Sequence, residues 1–117
     1  MNDIKKLQDR VLKFRDDRNW KQFHNPKDLA ISLLVEATEL LDEFKWKDEN
    51  AVAEHLKENK ESVTDEVMDV LYHVLLIAAD LEIDITSEFE RKMKSNEEKY
   101  PIDKSFGNSK KYTKLRL

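Results

Sequence analysis

Apolar residues recur at helical spacing along most of this chain. Between Asp3 and Asp17 they form one stripe, Ile4, Leu7, Val11 and Phe14, with charge on the remaining faces, which predicts an amphipathic first helix. The period lapses over residues 18–25, RNWKQFHN, where Trp20, Phe23 and His24 cluster. Asn25, Pro26 and Asp28 then predict a sharp helix start, with Asn as N-cap, Pro at the first helical position and an acid at the third. In this second helix Ala30, Leu33, Leu34, Ala37, Leu40, Leu41 and Phe44 keep the 3.6-residue period. Leu29, Ile31 and Val35 widen the stripe until most of the circumference is apolar, so the helix must be central. A short helix over residues 50–57 follows Asp48 as its cap. A fourth runs from Val63 to Leu81, apolar through Val67, Val70, Leu71, Val74, Leu75 and Ala78, and is broad enough to need cover on more than one side. Ile83 and Asp84 turn the chain into a fifth helix that directs Ile85, Phe89 and Met93 inward and stops at Pro101; beyond it the sequence has no period.

Composition narrows the fold class. One Gly and two Pro leave little material for the tight turns of a sheet, so the expectation is an all-α bundle of about five helices, one domain over residues 1–100 followed by a basic tail, 101–117. A chain of 117 residues buries only about two thirds of its unfolded surface, and two helices this apolar predict a homodimer or homotetramer. The absence of cysteine excludes a disulfide framework, a thiolate metal site and a Cys nucleophile. MNDIKKLQDR lacks the apolar core of a signal peptide and no run reaches the roughly 20 apolar residues of a membrane span, so a cytoplasmic location is expected. A net charge of -4 argues against a broad nucleic-acid surface, although the tail is locally basic.

Charge also appears where the pattern calls for apolar residues. Glu36 and Glu39 interrupt the second helix, and Glu66 and Asp69 interrupt the fourth. Helical residues three apart point the same way, so packing of the two helices would bring four carboxylates together where water is scarce and repulsion is strong unless a proton or cation intervenes. An all-oxygen set suits a hard ion such as Mg²⁺. On the residue pattern alone, acids that simply face solvent fit equally well. A di-iron site of the Glu-x-x-His kind is excluded, because neither His24, His55 nor His73 has an acid three positions before it.

The pair of motifs, Glu36-x-x-Glu39 and Glu66-x-x-Asp69 with 26 residues between them, resembles the ExxE…ExxD signature of the MazG-type all-α nucleoside triphosphate pyrophosphohydrolases. The stretches RNWKQFHNPKDLAISLLVEATELLDEFKW, KMKSNEEKYP and FGNSKKYTKL are similar to the dCTP pyrophosphatase-like branch of that family. The resemblance implies Mg²⁺-dependent hydrolysis of a nucleoside triphosphate, dCTP or a modified dCTP, to monophosphate and pyrophosphate. It implies Glu36, Glu39, Glu66 and Asp69 as the metal-binding and catalytic set, and Lys92, Asn96, Lys99 and Tyr100, which share a face of the fifth helix or its end, as phosphate-binding groups. Trp20, His24 and Trp46 would form a base pocket.

The chain departs from the family at three places. His73 stands where relatives carry Tyr, and is expected to hydrogen-bond behind the metal ligands rather than join them. Thr38 replaces a small residue inside the first motif, and Val11 occupies a position where animal relatives place a His near the base. A broad-specificity pyrophosphohydrolase and a noncatalytic helical interaction module are the alternative readings.

Overall fold

The computed structural model describes residues 3–111 and 113; Tyr112 and residues 114–117 of the basic tail lie outside them. The described residues contain helices and turns and no strand: α1 (Asp3–Asp17), a 3₁₀ turn at Lys21–Phe23, α2 (Pro26–Asp42), α3 (Glu49–Glu58), α4 (Lys60–Asp80), α5 (Ile85–Lys99) and α6 (Ile102–Ser105). The all-α expectation holds, with two differences in detail. α4 begins at Lys60, one turn before Val63, with Asn59 closing α3 and opening α4. After Pro101 the chain makes a further single helical turn, α6, which is too short to leave a period in the sequence.

Local chemistry sets the ends. Asn25 Oδ1 accepts from the Asp28 amide at 2.9 Å while Asn25 Nδ2 donates to the Asp28 carboxylate at 2.8 Å, and Asp48 Oδ1 accepts from the Ala51 amide at 2.8 Å. Each such cap contributes about 1 kcal/mol. α1 and α4 both end in the paired bonds of a Schellman turn. Trp20 N–H reaches the Arg15 carbonyl and Asn19 N–H the Asp16 carbonyl; Ile83 N–H reaches Ala78 and Glu82 N–H reaches Ala79. The left-handed residues of these turns are Asn19 (φ 54°) and Glu82 (φ 56°), where Gly would be the usual choice.

The chain forms two compact units, Met1–Ile83 and Asp84–Leu117. In the first, α2 packs along α4, and α1 and α3 also lie against α4. Leu29, Val63, Leu75, Leu76 and Ala78 make its core; full burial of a side chain like Leu76 stabilises by about 1.5–3 kcal/mol. Buried Gln8 fastens α1 by donating from Nε2 to the Leu75 carbonyl at 3.0 Å. Past the end of α2, Glu43 accepts from His55 Nε2 on α3 at 2.9 Å and from Ser62 Oγ on α4 at 2.8 Å. These two bonds hold the Glu43 carboxyl below the usual range. The apolar surface is only partly covered, with Ile31, Leu34, Val35 and Leu41 of α2 and Val67, Met68 and Val74 of α4 exposed on the single chain.

Candidate metal centre and adjoining cavity

Packing of α2 on α4 turns two local motifs into one cluster. Glu36, Glu39 and Glu66 each bring one carboxylate oxygen to within 4.8 Å of the others. Oε2 of Glu36 and Oε2 of Glu66 are enclosed and accept no hydrogen bond among the described residues. Loss of solvation, reinforced by a hydrogen bond and charge from Glu39 and by the charge of Asp69, raises the Glu36 pKa, with His73 opposing. Glu66 is raised in the same way, first by desolvation and then by the charges of Glu39, Asp69 and Glu36. Like charges are thus crowded and incompletely solvated, an arrangement that a proton or a cation relieves.

Two enclosed anionic oxygens without donors, on a set containing no sulfur and no nitrogen, fit a hard divalent ion. Asp69 stands outside the tight triplet but is close enough to act on both raised glutamates, and it borders the neighbouring cavity beside Glu36. His73, one turn further along α4, places Nδ1 2.9 Å from the Asp69 carbonyl oxygen. A carbonyl only accepts, so Nδ1 carries the proton in the neutral ring and Nε2 presents a lone pair.

A cavity of about 480 Å³ opens between α1, α2 and α4, lined by Arg10, Val11, Phe14, Glu36, Asp69, Tyr72 and His73. Its volume lies in the range of small-molecule sites. Phe14 and Tyr72 meet edge to face at 6.1 Å, and Tyr72 meets the His73 ring at 5.1 Å. Behind Phe14, Trp20 packs edge-on at 5.6 Å, and the Arg18 guanidinium lies 3.7 Å from the Phe14 ring centre. The walls are therefore aromatic and apolar, with carboxylates at one side.

The remaining residues named from the sequence are distributed as follows. Trp20 does not line the cavity and touches it through Phe14. His24 has an enclosed Nδ1 with no hydrogen-bond partner among the described residues; burial, then Arg15, lowers its pKa, against the charge of Asp80. Trp46 follows α2 in a left-handed conformation (φ 66°) and is 95% exposed, so it takes no part in the cavity of its own chain. Lys92, Asn96 and Lys99 lie on α5 and Tyr100 at its C-cap, all in the second unit.

Arg10 and Tyr72 are cavity residues that the motifs did not single out. For Tyr72 the available signal was its position three residues after Asp69; for Arg10, its place one residue before Val11 on the packed stripe of α1.

Residues 31–115 match the MazG-like family. The chain is similar to dCTP pyrophosphatase 1 of Rattus norvegicus, 32% identical over 98% of this chain and 67% of that protein, and to the Homo sapiens protein of the same name at 31% with the same coverage. Among solved structures, a pyrophosphatase from Archaeoglobus fulgidus superposes with a TM-score of 0.79 and 37% identity, covering 86% of this chain and 94% of that one. This chain belongs to the MazG-like family.

Proposed function

We propose that the protein is a Mg²⁺-dependent nucleoside triphosphate pyrophosphohydrolase that converts (d)NTPs, dCTP before others, to the monophosphate and pyrophosphate, as a cytoplasmic housekeeping activity on the nucleotide pool. The observation that carries this reading is the convergence of Glu36, Glu39 and Glu66 with two enclosed, unpartnered oxygens. The mammalian relatives are named dCTP pyrophosphatase 1, and the archaeal protein of similar structure is a pyrophosphatase by name.

Glu36, Glu39, Glu66 and Asp69 would hold the ion. Bound there, Mg²⁺ would supply a Lewis acid for phosphate oxygens and lower the pKa of water. The chain's own groups do the rest. A carboxylate of the set, left ionised when cation replaces proton, accepts the proton of the water that attacks the α-phosphorus. The aromatic and apolar side of the cavity receives the nucleoside. Lys92, Lys99, Asn96 and Tyr100 are proposed to neutralise and hydrogen-bond the departing pyrophosphate. Trp20 and His24 back the base end. Two or four copies associate through the exposed α2 and α4 faces, and Trp46, exposed on one chain, closes on the base in that assembly.

The test is incubation with each of the four dNTPs, with Mg²⁺ or EDTA, and separation of products by ion exchange. Monophosphate and pyrophosphate formed only with Mg²⁺ support the reading. Diphosphate with orthophosphate, or no turnover of any nucleotide, overturns it.

A further inference from the structure

Arg10 borders the cavity together with two carboxylates, yet among the described residues no ion pair joins it to either. The charges that bear on Glu36 are those of Glu39, Asp69 and His73, and those on Glu66 come from Glu39, Asp69 and Glu36; Arg10 is in neither set. Among the described residues its guanidinium is thus not committed to an ion pair with the cluster. It rises from α1, whose contribution to the cavity is otherwise Val11 and Phe14, whereas the carboxylates come from α2 and α4.

A nucleotide whose phosphates lie at the carboxylates spans this cavity in one sense. With the phosphates at the carboxylates of α2 and α4, the sugar would come to His73 and Tyr72 and the base to the α1 side of the cavity, which Arg10, Val11 and Phe14 line. Val11 offers the base no polar group, which leaves Arg10 as the α1 side chain able to read it.

A guanidinium donates and never accepts, and its fork matches two acceptors side by side, as in its pairing with guanine O6 and N7. Among pyrimidines only cytosine presents that pattern, with O2 beside an unprotonated N3. Thymine and uracil interpose an N3–H donor between O2 and O4. We propose that Arg10 is the specificity-determining residue of this site, selecting cytosine over thymine and uracil through a bidentate contact to O2 and N3. The assignment rests on the proposed nucleotide site and adds the rule by which that site chooses its base.

Steady-state kinetics on dCTP, dTTP and dUTP, for the wild type, Arg10→Met and Arg10→Lys, test it. Loss of a bidentate arginine–base contact lowers kcat/KM for dCTP about tenfold to a hundredfold. The loss falls mainly in KM, because the contact is present in ground and transition states alike. The kcat/KM ratios of dCTP to dTTP and of dCTP to dUTP fall by that same factor, and far-UV circular dichroism with thermal melts reports that the variants fold. Arg10→Lys keeps the charge but not the fork and recovers little of the preference. An independent measurement uses 3-deaza-dCTP, which lacks the N3 acceptor: the wild type discriminates against it, and Arg10→Met does not. Equal losses on all three nucleotides, an unchanged dCTP/dTTP ratio, or discrimination against 3-deaza-dCTP that survives in Arg10→Met overturns the assignment of Arg10 while leaving the hydrolase reading intact. A wild type that hydrolyses no nucleotide overturns both.

Discussion

Replacing Glu36 with glutamine removes one charge from a crowded cluster at nearly constant volume. Its carboxylate oxygen lies within 4.8 Å of one on Glu39. At that separation two unit charges repel by about 0.9 kcal/mol in a water-like medium and about 3.5 kcal/mol at an effective dielectric of 20. Glu39 is solvent-exposed, so screening moves the value toward the lower figure, and a gain of about 1 kcal/mol is expected for metal-free Glu36→Gln. For a domain of this size that corresponds to a rise in Tm of about 4 °C.

The sign depends on pH. The raised native pKa means the wild type keeps its full stability below the ordinary glutamate value and loses some as pH rises through the raised one. The advantage of Glu36→Gln is therefore present at pH 8 and vanishes at pH values below about 4.3. Saturating Mg²⁺ reverses the order. At a hundredfold excess over Kd the wild type gains about 2.7 kcal/mol, and the variant, lacking a ligand, gains little. Thermal melts at pH 8 with EDTA and with Mg²⁺ decide the matter. A variant less stable than the wild type in EDTA, or equal stabilisation of both by Mg²⁺, refutes the reasoning.

Other consequences are open to measurement. Mg²⁺ competes with protons for the raised Glu36 and Glu66, so calorimetric titrations in buffers of different ionisation enthalpy should show proton release that declines as pH rises; heats independent of buffer contradict this. Gln8→Ala removes the side-chain hydrogen bond that the Leu75 carbonyl accepts beside its helical one, and should cost about 0.5–1.5 kcal/mol in denaturant unfolding, with little change in kcat. Leu76→Ala empties the most enclosed apolar position, 2% exposed, and should cost about 2–5 kcal/mol. Glu43→Gln should lower Tm at neutral pH. Because its native carboxyl is depressed, the wild type's advantage is present above the ordinary glutamate value and is lost as pH falls through the lowered one; melts that differ by the same amount throughout count against the Glu43–His55–Ser62 clamp.

What the sequence discloses here is set by how local each interaction is. The start of α2 was legible because Asn25, Pro26 and Asp28 act within a single turn. The mutual packing of α2 and α4 was legible because no other two segments are as broadly apolar. Carboxylates three residues apart share a helix face by geometry, but whether Glu66 meets Glu36 depends on the register of two helices, which no local rule sets. The place of Arg10 in the cavity is illegible for the same reason, since a cavity is defined by three elements at once. α6 has four residues and so no measurable period. The exposure of Trp46 reflects a left-handed residue after α2, where neither Gly nor Asn marks the turn.

Hydrolysis of dCTP with Mg²⁺ in H₂¹⁸O, followed by mass spectrometry of both products, shows whether the carboxylate cluster directs water to the α-phosphorus of a nucleoside triphosphate. One ¹⁸O is expected in dCMP, none in pyrophosphate, and no reaction with Glu66→Gln. Label in pyrophosphate or orthophosphate, or turnover that survives Glu66→Gln undiminished, would contradict that role of the cluster.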